Sequence, residues 1–257
     1  MQEFNKEHRY QRFRCTFARK GLYKLVTFPN IGKIERLEMS REKYSLDTSG
    51  KEIVVVLLSG EFILDGVSFS RVNVFDQPAQ GFYVADNGCY ELIVDAYAEV
   101  CIIDASSDKI VPLQVLSNES VMSKVVGNGN FTRNVITLID KTNGLEKLIV
   151  GETFKEGGNW SSWPPHKHDT YVENEESQQE EVYLYKFRQP NGYGIQMIYE
   201  EDARDASVYV VTNNQEVKIQ KGYHPVVASP SSEMYYLWAL FGDNKFFKTC
   251  DDPRFLI

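Results

Sequence analysis

The sequence contains few histidines and few cysteines. Of its 257 residues, four are histidine and four are cysteine. No two cysteines have the Cys-x-x-Cys spacing that is typical of zinc ribbons and redox pairs. A chain of this size does not need a disulfide framework to build a core. We therefore interpret the four cysteines as free thiols, most of them buried.

Long apolar runs and a basic charge balance are also absent. No apolar run approaches the ~20 residues that span a bilayer, and the first 20 residues lack the apolar segment of a secretory signal. The formal net charge of −8 argues against a nucleic acid or an anionic membrane as partner. We expect a cytoplasmic protein that acts on a small molecule. An anionic substrate stays open, because a metal and a few local cations can dominate one pocket.

Helical periodicity is absent from every long window, whereas short extended segments recur along the chain. Residues 53–58 form a continuous apolar run, as expected of a strand that is buried on both faces. Asp65-Gly66 and Asp86-Asn87-Gly88 are turn signals between such segments. Many short strands separated by Gly, Asn and Asp turns indicate an all-β sandwich or barrel.

The strands fall into two sets. Residues 1–21 are basic and polar, and we interpret them as an N-terminal arm. A segment at about 105–134, rich in Ser, Gly and Asn, breaks regular structure between the two sets. We therefore expect one β domain at residues 22–120 and a second at residues 121–257.

A weak similarity between the two halves of the sequence supports two copies of one fold. Glu52 precedes the apolar run 53–58 much as Glu181 precedes the run 182–187. The first half has no His-x-His motif. We therefore predict that the first copy binds no metal and is filled by side chains, and that the second copy carries the metal site.

The most informative stretch is Gly158 to Asp169, which contains His166 and His168. If this stretch is a strand, both imidazoles point to the same face. A carboxylate, Glu181, opens the next extended run, and His224 follows a Gly turn. Three imidazoles and one carboxylate suit Zn²⁺, Mn²⁺, Fe²⁺ or Ni²⁺. A His-x-His motif alone more often lies on the surface or in the core without binding a metal. The metal-site hypothesis therefore depends on the glutamate and the third histidine.

The chain resembles the 5-deoxy-glucuronate isomerase family of inositol catabolism and, more distantly, the 5-keto-4-deoxyuronate isomerases of pectin breakdown. Residues that carry the resemblance are Gly127-Asn128-Gly129, Arg133-Asn134-Val135, Gly157 to Asp169, Gly222 to Ala228, and Tyr235-Tyr236-Leu237, with weaker matches at Leu57 to Gly60 and Val74 to Asp76. The resemblance implies a bicupin, with two jelly-roll-like cupin barrels in one chain. It also implies the metal ligands His166, His168, Glu181 and His224.

The resemblance implies a metal-dependent aldose–ketose isomerase that converts 5-deoxy-glucuronate to 5-dehydro-2-deoxy-gluconate. One divalent cation per chain would stabilise an enediolate as a Lewis acid, with Zn²⁺ or Mn²⁺ preferred over Fe²⁺ or Ni²⁺. Period two places Tyr183 and Tyr185 on the face of Glu181, and Gln196 is a third catalytic candidate on the next strand. The alternative for both tyrosines is barrel packing.

The substrate carboxylate needs a cation, and three are candidates. Arg133 is favoured because it belongs to the family-like Gly-x-Gly block, although it could form a surface salt bridge instead. Lys186 and Arg188 are also available, but Lys186 falls on the face opposite to Glu181. The partner is expected to be a sugar acid, and a homodimer is possible.

Several alternatives stay open at this stage. Glu180 is a rival ligand beside Glu181, and Trp238 stands where a smaller polar residue is expected, which could change the substrate. The chain could be a 5-keto-4-deoxyuronate-type isomerase. It could also be a metal-binding cupin that oxidises a small molecule with O₂, or a sugar-binding protein without turnover.

Overall fold

The protein is built from antiparallel β-strands. The computed structural model describes residues 23–28, 31–116, 121–243 and 246–256. Within these ranges there are 21 strands and four short 3-10 turns, and no α-helix. No helix among these residues is long and apolar enough to cross a membrane. The all-β prediction is confirmed, and the predicted arm at residues 1–21 lies outside the described ranges.

The first nine strands form a single sheet in the order β1-β2-β8-β4-β6-β9, to which β5, β7 and β3 are attached through β4. The strands are β1 Tyr23–Phe28, β2 Gly32–Met39, β3 Glu42–Asp47, β4 Lys51–Leu64, β5 Val67–Arg71, β6 Gln80–Ala85, β7 Cys89–Val94, β8 Ala98–Ser106 and β9 Val111–Val115. A register shift between Leu57 and Ser59 interrupts the pairing of β4 with β8. Gly60 follows it at φ +89°, where a Cβ would lie 2.2 Å from the Tyr97 carbonyl oxygen.

The remaining strands form three sheets. A six-stranded sheet has the order β10-β11-β12-β20-β15-β18, a four-stranded sheet has the order β13-β19-β16-β17, and β14 pairs with β21. The strands are β10 Met122–Val126, β11 Arg133–Ile139, β12 Leu148–Lys155, β13 Trp160–Ser161, β14 His166–Lys167, β15 Gln179–Phe187, β16 Tyr193–Ile198, β17 Ser207–Thr212, β18 Glu216–Ile219, β19 Val226–Ala228, β20 Met234–Gly242 and β21 Cys250–Asp251. The 3-10 turns are Gly129–Phe131, Lys141–Asn143, Ala203–Asp205 and Pro253–Phe255.

Strand β4 is buried on both faces, as its apolar run predicts. Ile53, Val55 and Leu57 point into the interior of the first half. Val54 and Val56 point the other way, into a core that the two halves share. The period-two alternation of a strand therefore lets one run of residues serve two hydrophobic cores.

The shared core also contains a buried ion pair. The guanidinium of Arg71 in β5 holds both carboxylate oxygens of Glu152 in β12, at 2.7 and 3.1 Å, and neither side chain is exposed. The hydroxyl of Tyr235 donates a further hydrogen bond to Glu152. The pair links β5 of the first half to β12 of the second, and loss of one member would leave the other charge buried without its partner.

The predicted domain limits, 22–120 and 121–257, stay a prediction. The nine-stranded sheet ends at Val115 and the six-stranded sheet begins at Met122. Residues 117–120, where the predicted boundary falls, lie outside the described ranges.

Candidate metal centre

Three side chains of the second half meet in its interior. His168 follows the short strand β14, Glu181 lies on the inward face of β15, and His224 lies in the turn before β19. Their ligand atoms all lie within 4.8 Å of one another, and all three residues are buried. We call these three residues, which could hold a metal ion, the His–Glu–His group.

One carboxylate oxygen of Glu181 is the centre of this group. Its Oε2 atom lies 3.2 Å from Nε2 of His168 and 3.3 Å from Nε2 of His224. The opposite ring nitrogen of each histidine faces a backbone carbonyl, at 3.0 Å for Gln179 and 2.9 Å for Gly222. A carbonyl can only accept, so each Nδ1 carries a proton, and each ring presents an Nε2 lone pair when it is neutral.

These lone pairs test whether a metal fits the site. Nε2 of His224 is fully buried and makes no hydrogen bond within the described part of the chain. Two ring lone pairs and a carboxylate repel one another unless a proton or a metal cation lies between them. Ligand atoms of a tetrahedral zinc site lie about 3.3 Å apart, given metal–ligand bonds of about 2.0–2.1 Å. The donor atoms and the two nitrogen–oxygen spacings, 3.2 and 3.3 Å, therefore fit a divalent metal.

The protonation of the group in the absence of metal follows from the same contacts. Burial alone would raise the pKa of Glu181, but the hydrogen bond with His168 and the charges of His168 and His224 outweigh it and lower this pKa to about 2. Burial would lower the pKa of His168, but the Glu181 carboxylate outweighs it and raises this pKa. The carboxylate is thus ionised and ready to bind a cation at neutral pH.

His166 lies beside the His–Glu–His group without being a member of it. Its ring is perpendicular to that of His224, with the centroids 4.9 Å apart, and its centroid is 6.4 Å from that of His168. The predicted role of His166 as a fourth ligand therefore stays a prediction. Glu180, the rival of Glu181, points away from the group and lies 3.5 Å from Lys218.

A polar scaffold holds the two histidine-bearing segments together. Lys167 points away from the site, and its ammonium lies 2.9 Å from Asp169 and 2.8 Å from Glu176. The other Asp169 oxygen accepts a hydrogen bond from the backbone N–H of Gly222 at 2.6 Å. Gly222 has φ +91°, which favours glycine, and its turn carries His224. Asp169 therefore links the segment of His168 to the turn of His224.

The three predicted catalytic residues lie on the inner side of the site. The ring of Tyr183 is 6.0 Å from that of His224, and its hydroxyl is 3.0 Å from Ser162 Oγ. Tyr185 donates its hydroxyl hydrogen to Gln196 at 2.5 Å. The Gln196 amide donates in turn to the carbonyl of His224 at 2.7 Å. Tyr183 faces the site, whereas Tyr185 and Gln196 support the His224 backbone.

The predicted substrate cations lie in different places. The half-buried guanidinium of Arg133 lies near Tyr183 and Tyr236, and burial lowers its pKa despite these phenols. Lys186 points into the contact between the halves, 2.8 Å from Glu99. Arg188 forms ion pairs with Asp76 and Glu233, and all three carry exposed or half-exposed side chains. Only Arg133 lies near the His–Glu–His group, and the other two positions lend no support to a role in substrate binding.

Sequence reasoning did not identify Lys155 or Tyr236 as site residues. Both lie on inward faces, on β12 and β20, and both are buried. The signal was present, because Lys155 is in phase with the inward Ile149 of the same strand. Trp238, predicted to reshape the pocket, is also inward and donates to Thr153 at 3.1 Å.

A family profile and individual relatives match most of the chain. The profile of the KduI/IolB family matches residues 30–256. A 5-deoxy-glucuronate isomerase of Geobacillus kaustophilus is 35% identical over 184 residues, which cover 71% of this chain and 67% of the relative. A 5-deoxy-glucuronate isomerase of Halalkalibacterium halodurans is 32% identical over 218 residues, which cover 82% of this chain and 81% of the relative.

Solved structures confirm the fold. An IolB-like protein from Salmonella typhimurium LT2 superposes with a TM-score of 0.85 at 25% identity, covering 93% of this chain and 95% of the other. The oxalate decarboxylase of Lactobacillus farciminis superposes with a TM-score of 0.60 at 10% identity, covering 92% and 85%. The second protein shares the bicupin fold alone. The bicupin prediction is thereby confirmed, and the profile match and the curated relatives together show that the chain belongs to the KduI/IolB family.

Proposed function

We propose that the protein is a metal-dependent aldose–ketose isomerase that converts 5-deoxy-glucuronate to 5-dehydro-2-deoxy-gluconate. The observation that carries this proposal is the buried His–Glu–His group, in a chain whose relatives are named 5-deoxy-glucuronate isomerase. The ligands would be His168, Glu181 and His224, with His166 as a fourth. The cofactor would be one divalent cation per chain, Zn²⁺ or Mn²⁺ in preference to Fe²⁺ or Ni²⁺.

The reaction is an internal redistribution that needs no oxidant. A proton leaves the hydroxyl-bearing carbon and one is added to the neighbouring carbonyl carbon, so that the carbonyl and the hydroxyl exchange places. The bound metal would supply Lewis acidity for the negative charge that develops on the two oxygens. The protein must hold the sugar acid in one orientation and exchange protons at those oxygens and carbons.

Tyr183 is the inward side chain best placed to hold a proton. Its hydroxyl pairs with Ser162, and burial together with the Glu181 charge raises its pKa well above 10. The phenol therefore keeps its proton at neutral pH and can donate a hydrogen bond to a substrate oxygen. Tyr185 and Gln196 act on the His224 segment instead, so we assign them a positioning role.

The proposal is tested by measuring metal content and turnover together. Elemental mass spectrometry is performed on wild type, His168→Ala, His166→Ala and the exposed control Lys124→Met, and each protein is assayed with 5-deoxy-glucuronate. Wild type and the control should carry about one metal per chain and be active. His168→Ala should lose both metal and turnover. His166→Ala shows whether the neighbouring ring is a ligand.

Each contrary outcome points to a defined alternative. Metal without turnover would reject this substrate and lead to assays with 5-keto-4-deoxyuronate. O₂ consumption with the loaded protein would indicate an oxygenase. Wild-type protein purified without chelator and free of metal would contradict the proposal and favour a sugar-binding protein without turnover. Light scattering on the same samples tests the predicted homodimer.

A further inference from the structure

Lys155 is a buried cation for which the described residues provide no carboxylate partner. It lies at the end of β12 on the inward face and is 3% exposed. Its ammonium donates to the carbonyl oxygen of Val226 at 2.7 Å and lies 5.9 Å from the centre of the Tyr236 ring. No carboxylate of the described residues forms an ion pair with it. Burial, together with the positive charge of Arg133, lowers the pKa of this lysine well below 10.5.

Arg133 is a second cation that has no carboxylate partner among the described residues. Its guanidinium donates to the carbonyls of Phe131 and Trp163, at 3.0 and 3.2 Å, and forms no ion pair in the ranges that the structure describes. It is close enough to Lys155 to lower that pKa. Two like charges that are held together without a counter-ion repel each other, so this arrangement does not stabilise the fold.

Other buried cations of the protein do have carboxylate partners. Arg71 is paired with Glu152, and Arg36 with Glu99. Lys186, which is largely buried, is also paired with Glu99. Among the described residues, the general rule that buried charges are paired is followed at these three positions and broken at the buried Lys155 and the half-buried Arg133. An exception of this kind marks a place where a ligand supplies the missing charge.

Both cations lie near Tyr236, whose ring packs against Tyr183 beside the His–Glu–His group. The Tyr236 ring, over which Lys155 lies, is 4.6 Å from the Tyr183 ring, and Tyr183 is 6.0 Å from the His224 ring. The hydroxyls of Tyr236 and Ser161 are hydrogen-bonded to each other beside Lys155. Two phenol rings thus lie between the Lys155 ammonium and the His224 ring, whereas the Arg133 charge is close enough to act on His166 beside the group.

We propose that Lys155 and Arg133 form an anion subsite, which binds the carboxylate of a sugar acid whose other end lies at the His–Glu–His group. The inference rests on the proposed function for the reacting end of the substrate. A carboxylate at the subsite would neutralise both cations in a site of low dielectric constant, where the attraction is strong. The subsite would select acids over neutral sugars of the same length, because a neutral end would leave both cations unpaired.

The test uses gluconate, an unreactive sugar acid, and its neutral counterpart sorbitol. Binding is measured by titration calorimetry on metal-free and metal-loaded protein, for wild type, Lys155→Met and the exposed control Lys124→Met. Wild type and the control should bind gluconate in both states. Lys155→Met should bind it at least about tenfold more weakly, since one charged contact is worth about 1.5–3 kcal/mol. Sorbitol binding should not change between the variants.

A stability measurement separates recognition from a structural role. If Lys155 serves binding, Lys155→Met should melt several degrees above wild type, at about 2–4 °C per kcal/mol for a domain of this size. A lower melting temperature in both Lys155→Met and Lys155→Gln would assign the lysine to the fold and overturn the proposal. Unchanged gluconate affinity, or no gluconate binding by wild type, would also overturn it.

The failure of this inference can be distinguished from failure of the proposed function. Gluconate binding that depends on Lys155, in a protein without isomerase activity, would keep the subsite and reject the reaction. Isomerase activity with a KM that Lys155→Met does not change would keep the reaction and reject the subsite. If both hold, Lys155→Met should raise KM more than it lowers kcat.

Discussion

The interiors of the two halves differ in chemistry although the strands around them are arranged alike. In the first half, strand β4 lies between β8 and β6; in the second, β15 lies between β20 and β18. Apolar side chains such as Leu37, Phe62 and Leu92 fill the first interior. The second interior contains tyrosines, Gln196, Lys155 and the His–Glu–His group.

The difference is concentrated on two corresponding strands. The inward positions of β4 are Ile53, Val55 and Leu57. The inward positions of β15 are Glu181, Tyr183 and Tyr185. A packed interior contributes stability and leaves no room for a ligand, whereas polar groups in an interior cost stability unless they are paired. The comparison suggests that the first half provides the stability on which the second half's site depends.

Glu52 and Glu181 occupy similar positions in the sequences of the two halves, but their side chains point in different directions. Glu52 stands one position before the inward Ile53, so it points away from the first interior. Its carboxylate accepts the backbone N–H groups of Glu146 and Lys147 in the second half. The two glutamates precede similar apolar runs, but a shift of one residue turns one to the contact between halves and the other to the site.

We expect the largest change in stability from a cavity in the interior of the first half. Leu92→Ala removes a side chain that is fully buried among apolar neighbours. We expect the free energy of unfolding to fall by about 2–5 kcal/mol, with little change in the kcat of the protein that remains folded. Urea unfolding measures the first quantity, and turnover per folded molecule measures the second. A large loss of kcat at unchanged stability would show that the first half takes part in the chemistry.

A smaller effect is expected from the scaffold of the second half. Asp169→Ala removes the acceptor for the Gly222 N–H, so the turn that carries His224 loses its link to the His168 segment. We expect metal affinity to fall about 10–100-fold, measured by competition with a fluorescent chelator. Asp47→Ala is the matched control, because Asp47 also accepts a backbone N–H but lies in a turn of the first half. Equal affinities in the two variants would contradict the link.

The smallest effect concerns the pH dependence of Lys155. The pKa of this lysine is lowered in the folded protein and is about 10.5 in the unfolded chain, so between the two values the unfolded chain binds more protons. Wild-type stability should therefore rise with pH across that window. Lys155→Met lacks this rise, and its advantage of about 1–3 kcal/mol should be largest on the acid side and shrink towards pH 10.5.

Urea unfolding of both metal-free proteins at several pH values checks this expectation. Titrations that the two proteins share cancel in the difference between their stabilities. A difference that does not change with pH would mean that Lys155 ionises normally in the fold.

The residue pattern predicted the parts of the fold and site that depend on local order. Alternation and turn residues identified the all-β class, and the apolar run 53–58 identified a strand buried on both faces. The same alternation placed Glu181 and Tyr183 on one face of β15 and Lys186 on the other. These inferences succeeded because the period of a strand is a property of its own backbone.

Contacts between segments that are distant in the chain could not be predicted from the period of a single strand. The meeting of His168, Glu181 and His224 was an expectation from spacing and resemblance, and the folded chain brings these residues within 4.8 Å. It leaves His166 beside them, and it directs Lys186 and Arg188 to carboxylates elsewhere.

Local residue patterns are sufficient to define the strand-forming segments and the residues of each strand that share a face. Which faces meet depends on the fold of the whole chain, because sheet pairing joins residues that are far apart in sequence. The inward lysine of β12 lacks a carboxylate partner, within the described part of the chain, because of how these faces meet. Whether a buried charge is neutralised depends on groups from several strands at once, which no local pattern of residues records.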